Sequence, residues 1–190
     1  MENSNLLREL LRRHLFYNNH KKRAYLSAIK DAETNEIISF EIGKHLDMDI
    51  VLKTIDNLKD DPYFRKQRNV IIHSDQGSQY TTTKYQNKLK GFGAIQSMSK
   101  KANCWDNAPI ESFFGTLKQE VNIKYLNNFS DLKDYIEKYI YYYNNERPQL
   151  SPLQQSKRHS AYPQLNIPQF SLNQPIVQQL GNKNLSDSLI

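Results

Sequence analysis

Cysteine is nearly missing from the chain: Cys104 is the only one in 190 residues. That excludes an intrachain disulfide and any cysteine-based zinc cluster, and it suits a reducing compartment. Long apolar runs are missing too, since no stretch approaches the ~20 residues that span a bilayer. The chain does not open on a signal-peptide pattern, and no internal repeat is visible. The expectation is a soluble, cytoplasmic protein with no membrane partner. What the chain does have is positive charge, with 26 Lys and Arg against 20 Asp and Glu, a net charge of +6 and a pI near 9.2. Such an excess favours an anionic partner, nucleic acid first among them. A hydrophobic fraction of 38% and a mean hydropathy of -0.77 remain compatible with a globular protein. The length suits one ordinary domain with a tail.

Periodicity divides the chain. Arg23–Ile29 ("RAYLSAI") and Glu36–Ile42 ("EIISFEI") alternate as strands do, and the turn-rich "KDAETN" between them predicts a hairpin. Met48–Leu58 carries Ile50, Val51, Ile55 and Leu58 at helical spacing. "NVIIHS" (Asn69–Ser74) reads as a short buried strand, "SQYTTTKYQNKLKGFG" as a helix ending at a glycine, and "AIQSMS" as another strand. Asp106 or Asn107 is placed to cap the next helix, with Pro109 in its first turn. Its apolar stripe is Ile110, Phe113, Phe114, Leu117 and Val121. The last helix opens at Ser130 or Asp131, repeats Leu132, Tyr135, Ile136, Tyr139, Ile140 and Tyr143, and cannot continue through Pro148. Strands and helices in this order predict a mixed α/β sheet covered by helices. From Pro148 onward lie five of the seven prolines and much of the glutamine, which reads as a loosely ordered tail over residues 149–190.

Two acids stand out. Asp75 follows a buried strand at its carboxyl end, where α/β sheets commonly place ligands; by itself it could be a turn residue, a helix cap or a metal ligand. Glu111 opens a helix on a polar line with Gly115, Lys118 and Asn122, at offsets of four, seven and eleven. Such a residue is by default part of a solvated face. Two carboxylates meeting over a sheet edge offer the hard oxygens that Mg²⁺ needs, with phosphates and water completing its octahedron.

Between Asp75 and Glu111 lie 35 residues. Together "HSDQGSQYTT", "SMSKKANCWDNAPIESFFGTLKQE" and "YNNERP" resemble the integrase core of insertion-sequence transposases of the IS3 type. The resemblance covers roughly Phe16 to Pro148. It implies an RNase H-like fold of the retroviral-integrase group and cutting and joining of DNA by an Asp, Asp, Glu triad with two Mg²⁺ (or Mn²⁺) ions. Asp75 matches the second acid and Glu111 the third. Both would then be catalytic metal ligands, with transposon ends and target DNA as partners and self-association expected. Lys100, Lys101 and Lys118 are expected to contact phosphates.

The pattern breaks at the first acid. The family's "TDITYLFY" survives only as "LFY" (Leu15–Tyr17), and counting back places Leu11 where the Asp belongs. An aliphatic side chain binds no metal. Asn5–Leu15 looks like an amphipathic, leucine-rich helix, so residues 1–15 read as an atypical amino-terminal segment and 16–148 as an incomplete core. Both ends look replaced, as in a decayed or frameshifted copy. The rival reading is a catalytically dead fragment that binds DNA or associates with other chains. Asp31 is expected to be a turn residue, because the first strand should separate its strand from that of Asp75. His73 reads as a core or supporting residue before a metal ligand, Cys104 and Trp105 as packing residues, Tyr139 to Tyr143 as core before base stacking, and Asn144 to Arg147 as a structural helix end.

Overall fold

The computed structural model describes residues 7–18, 21–60, 64, 70–99 and 108–147; at positions 7–9, 11, 12, 14 and 60 the description is of the backbone. Five strands form one sheet: β1 (Leu7–Tyr17), β2 (Lys22–Asp31), β3 (Ile37–Gly43), β4 (Ile71–Ser74) and β5 (Ile95–Met98), in the order β3-β2-β1-β4-β5. The β1–β2 and β2–β3 pairs are antiparallel, and β1–β4 and β4–β5 are parallel. Four helices cover it: α1 (Met48–Asn57), α2 (Thr83–Gly91), α3 (Ala108–Glu120) and α4 (Phe129–Asn145). The predicted mixed α/β sheet with flanking helices is the observed architecture.

Alternation along the strands sends neighbouring residues to opposite faces, and each face has its own core. Leu10, Ile29 and Ile72 pack with Val51, Ile55, Tyr85 and Leu89 on the α1/α2 side. Leu15, Leu26, Ala28 and Ile42 pack with Ile110, Phe113, Leu117, Ile136 and Ile140 on the α3/α4 side. Phe113, fully buried, makes edge-on contacts with Phe114 at 5.1 Å and Tyr143 at 4.9 Å between ring centroids. The stripe of Tyr135, Tyr139 and Tyr143 is core, as its spacing predicts.

The amino-terminal segment departs from expectation. Residues 7–15 are strand, not helix, and belong to the sheet, so the core begins well before Phe16. The physical reason is tertiary: β1 is a central strand, paired with β2 along Arg8–Tyr17 and with β4 along Leu7–Leu10. Pairing with β2 along almost its whole length, and with β4 over its first four residues, overrides the local preference of a leucine-rich run for helix. Smaller differences concern starts. Ser78–Thr81 is a separate 3-10 turn, and α2 begins behind it with Thr82 Oγ1 accepting from the Tyr85 N–H. Asn128, not Ser130 or Asp131, caps α4 by accepting from the Asp131 N–H at 2.8 Å. The Asp106/Asn107 cap and the tail over 149–190 lie outside the described residues.

The edge of β3 is closed by a side chain. Asn144 at the end of α4 accepts from the Ile37 N–H and donates to the Ile37 carbonyl, both at 2.9 Å. The amide thus supplies the pair of bonds that another strand would make. Asn144→Ala leaves both groups without that partner and should lower the unfolding free energy by about 1–3 kcal/mol, read as a lower urea midpoint with an unchanged slope.

Candidate active site

Asp75 sits one residue past β4, as the apolar run ending in a polar turn suggested. Its Oδ1 accepts from the Gly77 N–H at 2.9 Å, closing a tight turn. A Cβ at Gly77 would come within 2.9 Å of Asp75 Oδ1 and closer still to the Gln79 amide, so a larger residue there would displace those side chains from the turn. Gln76 ties the turn to the end of β5 by donating to the Ser99 carbonyl at 3.0 Å. His73, buried two residues before Asp75 on the same strand face, has Nδ1 2.9 Å from Ser97 Oγ and Nε2 3.1 Å from Ser99 Oγ. Both ring nitrogens are engaged by hydroxyls, so the imidazole braces β4 against β5, in keeping with a supporting role.

The β1–β4 ladder ends with Leu10 paired to Ser74, and Leu11 and Asp75 are the residues that follow on the two chains. Across β2 it is Ala28, not Asp31, that faces Leu11. Asp31 is a turn residue: its Oδ1 accepts from the Glu33 and Thr34 N–H groups at 2.8 and 3.2 Å. β2 and β4 lie on opposite sides of β1, as expected.

Two residues beyond position 11 on the same face, Arg13 reaches Glu111. Its Nη2 lies 3.0 Å from Glu111 Oε1, and the two side chains are 47% and 46% exposed. A pair this wet stabilises the fold by no more than ~1 kcal/mol, but it fixes where the first turn of α3 lies over β1. Lys30 anchors that turn from below: 3% exposed on β2, it donates from Nζ to the Pro109 carbonyl at 2.8 Å. Through Arg13, Glu111 is thus tied to β1 two residues beyond position 11.

The polar line read from α3 holds. Glu111, Gly115, Lys118 and Asn122 line one groove of about 660 Å³ between α3 and the outer half of β1. Lys118 is exposed on its rim. Lys100, Lys101, Cys104 and Trp105 lie outside the described residues.

Sequence reasoning missed Glu120. Arg147 Nε donates to its two oxygens at 2.9 and 3.2 Å, and the Tyr139 hydroxyl donates to Oε2 at 3.0 Å. This locks α4 to the end of α3 and gives "YNNERP" its structural work, Asn144 on β3 and Arg147 on α3. The signal was unreadable because the partners are 27 residues apart and meet only after two helices pack.

The resemblance implies a pair of metal ions. Among the described residues, no group of three or more His, Cys, Asp or Glu side chains converges. Of the two acids present, Glu111 has one oxygen on Arg13 and Asp75 has one on a backbone N–H. Paired catalytic ions ~3.5–4 Å apart need carboxylates that hold and bridge both. The donor set does not fit such a pair.

Two models of the integrase core domain match residues 13–104 and 93–152. A putative transposase of insertion sequence IS150 from Escherichia coli is 42% identical over 129 residues, covering 66% of this chain and 44% of that protein. The chain therefore spans less than half the length of this relative. The Mos1 transposase, solved as a paired-end complex with the left transposon end, superposes with a TM-score of 0.58 at 14% identity, covering 71% of this chain and 47% of that one. The HTLV-2 integrase catalytic core, solved with magnesium, gives a TM-score of 0.57 at 15% identity, covering 78% and 94%. These two likenesses are of fold.

Proposed function

The chain belongs to the integrase-core family of IS3-type insertion-sequence transposases, and from that premise we propose that it is a DNA-binding transposase core whose own strand cleavage is disabled. The observation that supports this reading is the β1–β4 ladder, which ends with Leu10 on Ser74, so that Leu11 and Asp75 are the next residues of the two strands and Arg13, two residues on, holds Glu111. In this reading the first acid's position is held by the aliphatic Leu11. No helix among the described residues is long and apolar enough to cross a membrane, and a cytoplasmic protein acting on bacterial DNA is the setting proposed.

In this reading Asp75 and Glu111 are the remaining catalytic acids. Together they would hold a single Mg²⁺ or Mn²⁺ weakly, and that ion's chemistry is the polarisation of a phosphodiester. Lys118 on the groove rim, with Lys100 and Lys101 before α3, supplies charge to the phosphates. Arg13 neutralises Glu111, which lowers the repulsion that a phosphate would meet there. The rival reading, a fragment that only associates with other chains, shares the fold but does not require binding to DNA.

Salt dependence separates the two. Lys and Arg contacts release counterions from phosphate, so log K should fall linearly with log salt. Lys118→Ala should reduce that slope by about one unit across unrelated sequences. Failure to bind duplex DNA at low salt, in fluorescence anisotropy, would leave the association-only reading.

A further inference from the structure

β3 is an edge strand whose composition invites pairing. On its outer side no strand pairs with it among the described residues. Its seven residues, "IISFEIG", hold three isoleucines and a phenylalanine but a single charge, with no proline and no lysine. Apolar, β-prone segments of that length and low charge are the ones that pair with copies of themselves. Natural edges are protected by lysine, proline, a bulge or a cover, or by being very short. β5, at the opposite edge, has four residues and is protected by its shortness. β3 is not short.

Its protection comes from two amides and a bulge. Asn144, at the end of α4, takes both the N–H and the carbonyl of Ile37, each at 2.9 Å. Asn57, the last residue of α1, donates from Nδ2 to the Phe40 carbonyl, also at 2.9 Å. The two helices pack on opposite faces of the sheet, so the edge is gripped from both sides. Between these points the ladder to β2 shifts. Lys30 and Ile29 pair with Ile37 and Ser39, which leaves Ile38 as an extra residue in β3. A bulge bends the strand and breaks the repeat that a new partner would have to match. A side-chain amide offers the donor and acceptor of a peptide group but ends there, so it satisfies an edge without extending it.

We infer that Asn57 and Asn144 are caps that keep β3 from pairing with the β3 of a second copy of this chain. Identical strands can meet antiparallel about a two-fold axis, and such a ladder forms along β3 only after both amides are displaced. Asn144 is the first asparagine of "YNNERP", so that motif helps to hold copies apart at this edge.

The experiment is sedimentation velocity over a concentration series, without DNA. It compares the native chain with Asn57→Ala, Asn144→Ala and the double variant. The double variant should associate at concentrations about tenfold or more below the native chain, because no cap bonds then have to break in either copy. Hydrogen exchange read by mass spectrometry should slow in the β3 peptide as concentration rises. Two controls separate a lost cap from lost stability. Asn144→Asp keeps an acceptor for the Ile37 N–H but puts a charge on the edge, so it should weaken the fold without associating. Tyr139→Phe weakens the seat of α4 and leaves the edge closed, so its association should match that of the native chain. Circular dichroism checks folding, and if the double variant does not fold, the single variants are read with the same expected direction. Folded cap variants that associate no more readily than the native chain overturn the inference. Association with unchanged exchange in β3 also overturns it, by placing the contact on another face. Equal association of Asn144→Asp and Asn144→Ala does so too, by making lost stability the cause.

Discussion

Leu11→Asp is expected to turn a chain that does not detectably nick DNA into one that does so in Mg²⁺. The unmodified chain should leave supercoiled plasmid intact, because the acid that should stand beside Asp75 is an aliphatic residue. Metal stabilisation of a developing alkoxide contributes several kcal/mol, and each tenfold in rate corresponds to ~1.4 kcal/mol. Supplying the third carboxylate should therefore raise nicking by several orders of magnitude. The strand geometry makes the single substitution a fair test: position 11 directly follows Leu10, the last β1 residue paired with β4, and its backbone is paired with Ala28 of β2. A helical amino terminus would have misplaced the new acid; a central strand does not. Arg13 is the remaining competitor for Glu111. Its exposed pair amounts to no more than ~1 kcal/mol, so Arg13→Ala added to Leu11→Asp should improve nicking by less than about tenfold. The control is Asp75→Ala in the Leu11→Asp background, which should abolish the gain. If the unmodified chain nicks plasmid robustly and Asp75→Ala stops it, another acid has taken the role. Glu9, whose backbone pairs with His73 in β4, is then the residue to replace by glutamine.

Why the site was half legible follows from where its information lies. Asp75 and Glu111 were readable because each sits at a local boundary, a buried strand running into a polar turn and a polar line opening a helix. Their 35-residue interval then tied them together through the family resemblance. The α4 stripe was readable because Tyr135, Tyr139 and Tyr143 repeat at helical spacing and are all buried. β1 was not, because a central strand has cores on both faces and loses the alternation that marks a half-exposed one. Its leucines then mimic an amphipathic helix until the ladders are known. Asn144 on Ile37 spans 107 residues, and Arg147 on Glu120 spans 27. Neither pairing has a sequence period, since both depend on how α4 settles against the sheet and α3. The same holds for the groove: Gly115 was visible as a point on a polar line, but the groove it lines exists only in three dimensions.

The packing of α2 and α4 also sets a limit at high pH. Burial pushes the hydroxyls of Tyr85, Tyr135, Tyr139 and Tyr143 above the ordinary tyrosine range, and for Tyr139 the neighbouring Glu120 carboxylate pushes further in the same direction. In the unfolded chain these groups ionise near pH ~10. Because the folded values are raised, their contribution to stability is fully present below that pH. It is lost as pH rises toward the folded values, where the unfolded chain has released protons that the folded one retains. Each such tyrosine then removes about 1.4 kcal/mol per pH unit. Stability should therefore fall steeply as pH rises above ~10, with tyrosinate absorbance and loss of helical circular dichroism changing together. Tyr139→Phe should move the midpoint upward, since it removes one ionising group, while lowering stability at neutral pH by about 1 kcal/mol through loss of the bond to Glu120. Tyrosinate absorbance that rises fully while the dichroism stays native would show that these hydroxyls are open to solvent. It would also count against the α3–α4 core on which the placement of Glu111 and Lys118 depends.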